Sequence, residues 1–516
     1  MLIKASFLVA FVAIMVGVGF YCRKQATDVN GFVLGGRSVG PWLTAFSYGT
    51  SYFSAVIFVG YAGQFGWKYG LAATWIGIGN ALIGSLFAWN ALGRRTRVMT
   101  QHLSSKTMPE FFGNRFDSKA LKVFASVLVF IFLIPYTASL FNGLSRLFGM
   151  AFNVDYTVCV IAMAVLTGIY VVVGGYMATA INDLIQGIIM LFGIVAVVLA
   201  VLKTQGGFTG AIETLSMIPA ENSVQEGAFT SFFGPDLVNL IGVVLLTSLG
   251  TWGLPQMVGK FYAIKDERSI KTGTIVSTIF ALIVAGGCYF LGGFGRLFGD
   301  RVEYTADGAI IYDSIIPGML RDLPEVLIAI VVILVLSASM STLSSLVLTS
   351  SSTITLDFIE PLSKKGLQEK SKLSIMRVFV VFFIIVSAVI AIIQAKSSVT
   401  FIAQLMGISW GALAGAFLAP FLFGLYWKKT TKVAVCVNFV VGAGIMILNM
   451  TCKSIFPALL QSPLNAGVLA MLAGFVIVPV VSLLTQKSVD KKKVDKMFEC
   501  YDTEVKVKSK HMLEQK

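Results

Sequence analysis

SASMSTLSSLVLTSSSTIT, residues 337–355, is the stretch that decides the fold of this chain. It lies within residues 326–356, a segment without a charged residue, and twelve of its nineteen residues are serine or threonine. An uncharged run of that length predicts a membrane-spanning helix, which needs about 20 mostly apolar residues. Hydroxyl groups at this density exceed what a helix needs in lipid, so they predict a bound ligand, a cavity or a close helix neighbour.

The hydroxyl oxygens of this stretch are ligands that a small, hard cation prefers. On a helix, Ser341 lies beside both Ser344 and Ser345, because residues three and four positions apart share a face. The sequence therefore leads to the hypothesis of a sodium site in this span.

The composition is that of a polytopic membrane protein. The 516-residue chain is 56% hydrophobic and 13% charged, with a mean hydropathy of +0.83, whereas soluble domains are about 25% charged. We predict an all-α fold with thirteen spans, because thirteen mostly apolar segments with few charged residues are long enough to cross a bilayer. They are 4–22, 41–66, 70–92, 123–148, 155–175, 176–202, 236–257, 271–295, 325–355, 377–395, 400–425, 432–452 and 464–485.

Lysine and arginine residues predict the orientation of these spans. With the N-terminus outside, the predicted cytoplasmic segments contain 31 of the 40 basic residues, in agreement with the positive-inside rule. The net charge of +14 therefore reports topology, and a nucleic-acid partner is not expected. We expect a multi-pass protein of the cytoplasmic membrane, with a cytoplasmic C-terminus and the lipid bilayer as its surroundings, and no obligate protein partner is evident. The cytoplasmic segments are 23–40, 93–122, 258–272, 356–377, 426–432 and the tail from residue 486.

Signatures of enzymes and of ATP-driven pumps are missing from the sequence. It contains no GxxxxGK[ST] phosphate loop, and its six cysteines show no CxxC spacing. No nucleophile–base pair falls within the spans, so no catalytic or cofactor-binding residue is predicted. Asp183 is the one carboxylate well inside a predicted span. It is either a counter-charge for a bound cation or a hydrated group at the cytoplasmic boundary.

Two spans contain interruptions. Gly49 and Thr50 lie in the middle of the second span, and GTWGLP, residues 250–255, lies in the seventh. A break at membrane depth is tolerated only where the freed backbone lines a cavity, and here it would expose the carbonyls of Thr50 and Phe53. Because the breaks lie five spans apart, an odd number, they predict an inverted repeat. Two ordinary kinked helices are the alternative.

This pattern divides the chain into six regions. They are a first transmembrane helix and cytoplasmic loop (1–40), a first five-helix repeat (41–203), an extracellular loop (204–235), a second five-helix repeat (236–425), two C-terminal transmembrane helices (426–485) and a basic cytoplasmic tail (486–516).

Four motifs are shared with a known family. LGGRS at 34–38, GGYMATAINDLIQG at 174–187, GLPQMVGKFYAIKD at 253–266 and SMSTLSS at 339–345 resemble the sodium/solute symporter family. Within that family the chain is most similar to the bacterial sodium/proline and sodium/pantothenate branches. The resemblance implies a LeuT-type fold of two inverted five-helix repeats, alternating access and sodium as the coupling ion.

Transferred residue by residue, the resemblance also implies binding residues. The implied main sodium site consists of Thr50, Phe53, Ala338, Ser341 and Thr342, and the implied second sodium site consists of Asp183, Ser341, Ser344 and Ser345. The implied solute-binding residues, near the midplane, are Tyr52, Ser54, Trp75, Asn80, Thr251, Trp252, Gln256 and Gln404. The aromatic residues among these fit packing equally well.

Two departures from the family separate its branches. The carboxylate-binding arginine of the sialic-acid branch has no counterpart, because Pro135 falls near that position. The proline branch has an aspartate where this chain has Tyr52. The prediction is a sodium-coupled symporter for uptake of a small organic solute, an amino acid such as proline being favoured. Pantothenate, another monocarboxylate or a sugar are the alternative solutes, and a solute-sensing receptor or a channel is the alternative class.

Overall fold

The computed structural model describes residues 2–152, 154–220, 226–306, 308–363, 366–395 and 402–502. Within these ranges the chain is nearly all helical, and its β pairings are two isolated bridges, Val39–Ile264 and Tyr304–Ile310. The predicted tail beyond Asp502 lies outside the described residues. The α-helices are α1 (Leu2–Cys22), α2 (Val29–Leu34), α3 (Pro41–Tyr52), α4 (Ala62–Tyr69), α5 (Thr74–Ala81), α6 (Arg94–His102), α7 (Met108–Arg115), α8 (Lys119–Phe152), α9 (Tyr156–Thr204), α10 (Gly207–Ser216), α11 (Leu237–Ser248), α12 (Pro255–Ala263), α13 (Glu267–Gly292), α14 (Ile315–Leu320), α15 (Glu325–Thr353), α16 (Glu360–Leu362), α17 (Glu369–Ala395), α18 (Ile402–Tyr426), α19 (Lys432–Thr451), α20 (Pro463–Leu484) and α21 (Lys491–Phe498).

Helical segments long and apolar enough to cross a membrane number ten among the described residues, or eleven when a bent pair is counted as one span. Two of the ten, Val56–His102 and Tyr156–Thr204, have 47 and 49 residues. At 1.5 Å per residue each far exceeds a bilayer core of about 30 Å. Each contains a glycine with positive φ, Gly70 (61°) or Gly175 (55°). Division at these two glycines, with the bent pair also counted as a span, gives thirteen, the predicted number.

Both predicted helix interruptions are present. α3 ends at Tyr52, Phe53 is extended (φ −83°, ψ 123°), and a π-helical turn, Val56–Tyr61, leads into α4. In the seventh span, a 3-10 turn at Leu249–Gly253 is followed by α12, and the axis bends by 47°. α12 begins at Pro255, a position where the missing N–H of proline costs nothing.

The hydroxyl-rich helix α15 lies at the centre of the bundle. It packs against α9, α8, α17, α1 and α3, and its side chains from Val331 to Leu348 are buried throughout. Helices on the periphery instead expose large apolar side chains, such as Phe192 on α9 and Leu484 on α20, as a lipid-facing surface requires. The helix with the most hydroxyl groups is therefore screened from lipid by protein on all sides.

The LGGRS motif ties three loops together. Gly35 has a positive φ (56°) and closes α2, which allows the chain to turn towards Arg37. The Arg37 guanidinium donates to the carbonyls of Tyr262 (3.1 Å) and Thr100 (3.4 Å). Burial lowers the pKa of Arg37 to about 10, so the group stays charged at neutral pH. Arg37 is thus a fixed link between the segments 23–40, 93–122 and 258–272.

The predicted cytoplasmic segments meet on one face of the molecule. α21 lies against this face, where Lys493 pairs with Asp117 (2.7 Å) and Lys428 pairs with Asp495 (2.7 Å). Arg94 pairs with Glu267 (2.9 Å) close by. The tail up to Asp502 therefore packs against loops that, like the tail itself, contain many lysine and arginine residues.

Candidate cation and solute sites

Five oxygen atoms of the predicted main sodium site lie together where the break after α3 meets α15. The Thr342 hydroxyl lies 3.2 Å from the Thr50 carbonyl oxygen, 3.1 Å from that of Phe53 and 3.2 Å from that of Ala338. The Ser341 hydroxyl lies 3.1 Å from the Thr50 and Ala338 carbonyl oxygens. Three carbonyls and two hydroxyls form a compact set of neutral oxygens, the ligand type that a hard cation prefers.

The local sequence explains why these carbonyls are available. In a continuous helix the carbonyls of Thr50 and Phe53 would accept from the N–H groups four residues later. The extended Phe53 breaks that pattern, and the Ile57 N–H instead donates to Ser54. Both carbonyl groups are left facing α15, on which adjacent hydroxyl residues point towards α3. In the structure, the hydroxyl groups of α15 satisfy them.

The residues of the predicted second sodium site have different partners. Asp183 is fully buried, and its Oδ2 accepts from the Ser47 hydroxyl at 2.5 Å. The Ser345 hydroxyl lies 2.7 Å from that of Ser51 and accepts from Lys260 at 3.0 Å. Ser344 donates to the Ser341 carbonyl at 2.9 Å. The structure therefore brings a lysine to this set, and the second sodium site stays a prediction.

Lys260 was predicted to lie in a cytoplasmic loop, because the seventh span was expected to end at residue 257. The structure extends α12 to Ala263, which buries Lys260 to 3% exposure. The ammonium group lies 2.7 Å from Ser47 Oγ and 3.7 Å from Asp183 Oδ2. The sequence contained a signal for this burial, because Lys260 follows a proline break and has mostly apolar neighbours along the chain. The count of basic residues did not use that signal.

Three predicted solute residues line one small cavity. Tyr52, Asn80 and Thr251 enclose about 10 Å³ together with Tyr48 and Gly84. Asn80 Oδ1 accepts from Ser248 at 2.9 Å, and Thr251 donates to the Ser248 carbonyl at 2.7 Å. The Asn80 amide nitrogen has no partner among the described residues.

Other predicted solute residues lie apart from this cavity. Trp75 donates to the carbonyl of Phe232 in the following loop (3.0 Å), and Trp252 donates to that of Ile83 (3.0 Å). Gln256 lines a separate cavity of about 40 Å³ beside Lys260. Gln404 is exposed near the start of α18.

Two aromatic residues that the sequence did not single out complete the solute region. The Trp410 ring lies 5.7 Å from that of Tyr52 and 5.9 Å from that of Tyr136. The Tyr136 hydroxyl lies beside the Ser54 hydroxyl and the Trp410 indole N–H. The polar atoms of all four side chains are buried, and none of them makes a hydrogen bond of good geometry to a described residue, although those of Ser54, Tyr136 and Trp410 lie close together.

Buried polar atoms without partners cost about 1–3 kcal/mol each, so a cluster of four indicates a ligand or water site. Tyr136 follows Pro135 inside α8, and a proline inside a span frees backbone groups. That proline was the available sequence signal for this part of the site. No signal distinguished Trp410 from a packing residue.

The family comparison gives one match. A model of the sodium:solute symporter family matches residues 32–442. Among curated proteins, the chain is 27% identical over 489 residues to the osmoregulated proline transporter OpuE of Bacillus subtilis, covering 92% of this chain and 94% of the relative. It is 29% identical over 459 residues to a sodium/proline symporter of Staphylococcus aureus, covering 86% of this chain and 84% of the relative.

Solved structures with the same fold are more distant in sequence. An outward-open, substrate-bound Na+-coupled sialic acid symporter superimposes with a TM-score of 0.70 at 16% identity, over 93% of this chain and 98% of its own. Mhp1, a nucleobase-cation-symport-1 family transporter, superimposes with a TM-score of 0.50 at 13% identity, over 90% and 98%. These two structures place the chain in the LeuT-type fold that the family resemblance implied.

Proposed function

The chain belongs to the sodium:solute symporter family and couples solute uptake to sodium, and from that premise we propose that its solute is proline or a closely related amino acid. The observation that carries the proposal is the set of five oxygens around Thr342, which joins the break after α3 to α15. We propose that this set is the sodium site that drives uptake. The relatives named as proline transporters support the choice of solute.

Coupling of ion and solute follows from consecutive residues. Phe53 offers its carbonyl to the sodium site, while Tyr52 and Ser54 on either side belong to the solute region. Sodium that holds the Phe53 carbonyl therefore also fixes the backbone that presents these two side chains. By linkage, the solute strengthens sodium binding by the same factor. Sodium orders the outward-facing site, and release follows its rearrangement towards the cytoplasm.

The chemistry of the solute region suits a small amino acid with an apolar side chain. The hydroxyls of Tyr52 and Tyr136 and the indole N–H of Trp410 are donors without partners among the described residues, and a carboxylate accepts such donors. The aromatic faces of the same residues pack well against an apolar ring. We propose that they hold the two ends of proline, one polar and one apolar.

The energy for uptake comes from the inward movement of sodium. We propose a cytoplasmic-membrane location with the N-terminus outside, on the basis of the basic residues clustered on one face. A membrane potential of 100 mV then supplies about 2.3 kcal/mol per sodium ion. That energy concentrates a net-neutral solute about 50-fold before any sodium gradient is added.

The proposal is tested with purified protein in proteoliposomes. We expect an inward sodium gradient to drive saturable uptake of radiolabelled proline, and potassium in place of sodium to abolish it. Unlabelled proline should compete, whereas pantothenate, pyruvate and glucose should not. Competition by one of these three instead of proline would refute the proposed solute, and uptake independent of sodium would refute the sodium site.

Tyr136→Phe tests the solute region separately. We expect the KM for proline to rise about tenfold, because a hydrogen bond to a charged group contributes about 1.5 kcal/mol or more. The sodium dependence measured at saturating proline should stay unchanged. Tyr262→Phe is the matched control, since the Tyr262 hydroxyl is equally buried and without a partner among the described residues, while Tyr262 belongs to α12, where its main-chain carbonyl accepts from Arg37. Equal effects of the two changes would count against the proposed solute region.

A further inference from the structure

Lys260 lies against two of the four residues predicted for a second sodium site, Asp183 and Ser345. Its ammonium group donates to the Ser47 hydroxyl at 2.7 Å and to the Ser345 hydroxyl at 3.0 Å, and lies 3.7 Å from Asp183 Oδ2. The ring of Tyr176 faces it with the centroid at 5.2 Å. Two members of the predicted second site, Asp183 and Ser345, are thus direct neighbours of a side-chain cation.

The surroundings of this ammonium group are those of a bound monovalent cation. A lysine ammonium is a compact point charge with three donors, and here it faces one carboxylate and two hydroxyl oxygens. Asp183 and Lys260 are both buried, so each is the counter-charge that the other needs. Ser47 bridges them, because it accepts from Lys260 and donates to Asp183. The Lys260 ammonium group therefore already balances the charge of the Asp183 carboxylate.

The ammonium group also links the same elements that the main sodium site links. Ser47 lies on α3, Ser345 lies on α15, and Ser345 contacts Ser51 one residue before Tyr52. Lys260 therefore connects α12 to α3 and to α15 near the main sodium site. A second sodium ion bound between the same groups would repel the ammonium strongly in this buried environment.

We propose that Lys260 is a built-in cation that fills the second site, so that each transport cycle carries one sodium ion. The inference rests on the proposed main sodium site at Ser341 and Thr342. It assigns Asp183 to Lys260 rather than to a transported ion. Removal of the Lys260 ammonium group alone leaves the buried Asp183 carboxylate without a counter-charge, near the Ser345 hydroxyl. A carboxylate and hydroxyl oxygens are ligands that a sodium ion can use.

Equilibrium binding of radioactive sodium to the purified full-length protein tests this inference without any solute. We expect one saturable site per chain in the natural protein and two in Lys260→Ala. The control is the double variant Asp183→Asn/Lys260→Ala, which lacks both charges and should return to one site.

Two sites in the natural protein would overturn the inference, as would a folded Lys260→Ala variant that binds one sodium ion. If Lys260→Ala fails to fold, the number of sites in the natural protein decides the inference alone. Thr342→Ala separates this inference from the proposed main site. A single site that Thr342→Ala leaves unaltered would refute the main-site assignment, while the response to Lys260→Ala would still decide the role of Lys260.

Discussion

The double variant Ser341→Ala/Thr342→Ala is expected to raise the sodium concentration for half-maximal uptake by about 100-fold. Each hydroxyl contributes one ligand, and the loss of an interaction of about 1.4 kcal/mol weakens binding tenfold. Thr342→Ala alone should therefore weaken sodium binding about tenfold, since Thr342 contacts three carbonyls. The measurement is the initial rate of uptake in proteoliposomes over a series of sodium concentrations, with solute saturating.

Ser339→Ala is the matched control for this experiment. Ser339 is a buried hydroxyl residue on the same helix, but it donates to the Val335 carbonyl at 2.8 Å, within its own helix. Its replacement removes a hydroxyl without touching the five oxygens, so sodium dependence should stay unchanged. An unaltered sodium dependence in the double variant, or an equal shift in Ser339→Ala, would refute the main sodium site.

Gly66→Ala is expected to prevent stable folding. Gly66 lies where α4 crosses α13, and a Cβ atom there would lie 2.0 Å from the carbonyl carbon and oxygen of Gly292. A Cβ atom on Gly292 would in turn lie 2.0 Å from the Ala62 carbonyl oxygen. Backbone atoms cannot rotate out of the way, so the two helices must separate. We expect the free energy of unfolding to fall by about 3 kcal/mol or more, which is the upper end of the effects of overpacking.

The measurement for Gly66→Ala is the yield of monodisperse protein in detergent and its thermal unfolding. Gly286→Ala is the control on α13, the helix that Gly66 contacts, because a Cβ atom at Gly286 meets no atom within 4 Å. Alanine favours a helix over glycine by about 1 kcal/mol, so this control should be neutral or stabilising. Similar yields and unfolding temperatures for the two variants would contradict the close helix crossing.

Hydropathy and charge were sufficient to predict most of the fold. The thirteen predicted spans fall on helical segments of the described structure, because each must be mostly apolar over the thickness of the bilayer whatever its neighbours are. The two breaks were predictable for a similar local reason. Glycine, hydroxyl residues and Pro255 weaken a helix on their own. The family match confirms the sodium-coupled symport that the motifs implied.

The end of the seventh span was harder to predict from the sequence. A charge count ends the span before Lys260, because a lone lysine in lipid is costly. The structure continues the helix because Asp183 and two serines meet the ammonium group. Those partners come from other helices, and no window of local sequence contains them.

The residues of the solute region were also hard to predict from the sequence, because they too come from separate helices. Ser54 was implied by the family resemblance, but Tyr136 and Trp410 come from α8 and α18. Whether an aromatic residue on a buried helix packs or binds depends on the rotation of that helix against its neighbours. Trp75 illustrates the reverse case, since its indole donates to Phe232 outside the bundle core.

The sequence by itself determined that the chain spans the membrane many times, where its helices break and which hydroxyl residues α15 carries, because lipid acts on each segment separately. The tertiary structure alone decided which polar groups meet inside the bundle. The stretch 337–355 shows both contributions: its composition predicts a cation site, while its contacts give the Ser341–Thr342 part to the α3 carbonyls and Ser345 to the Lys260 ammonium. That division arises from helix packing, which brings together groups that lie far apart along the chain.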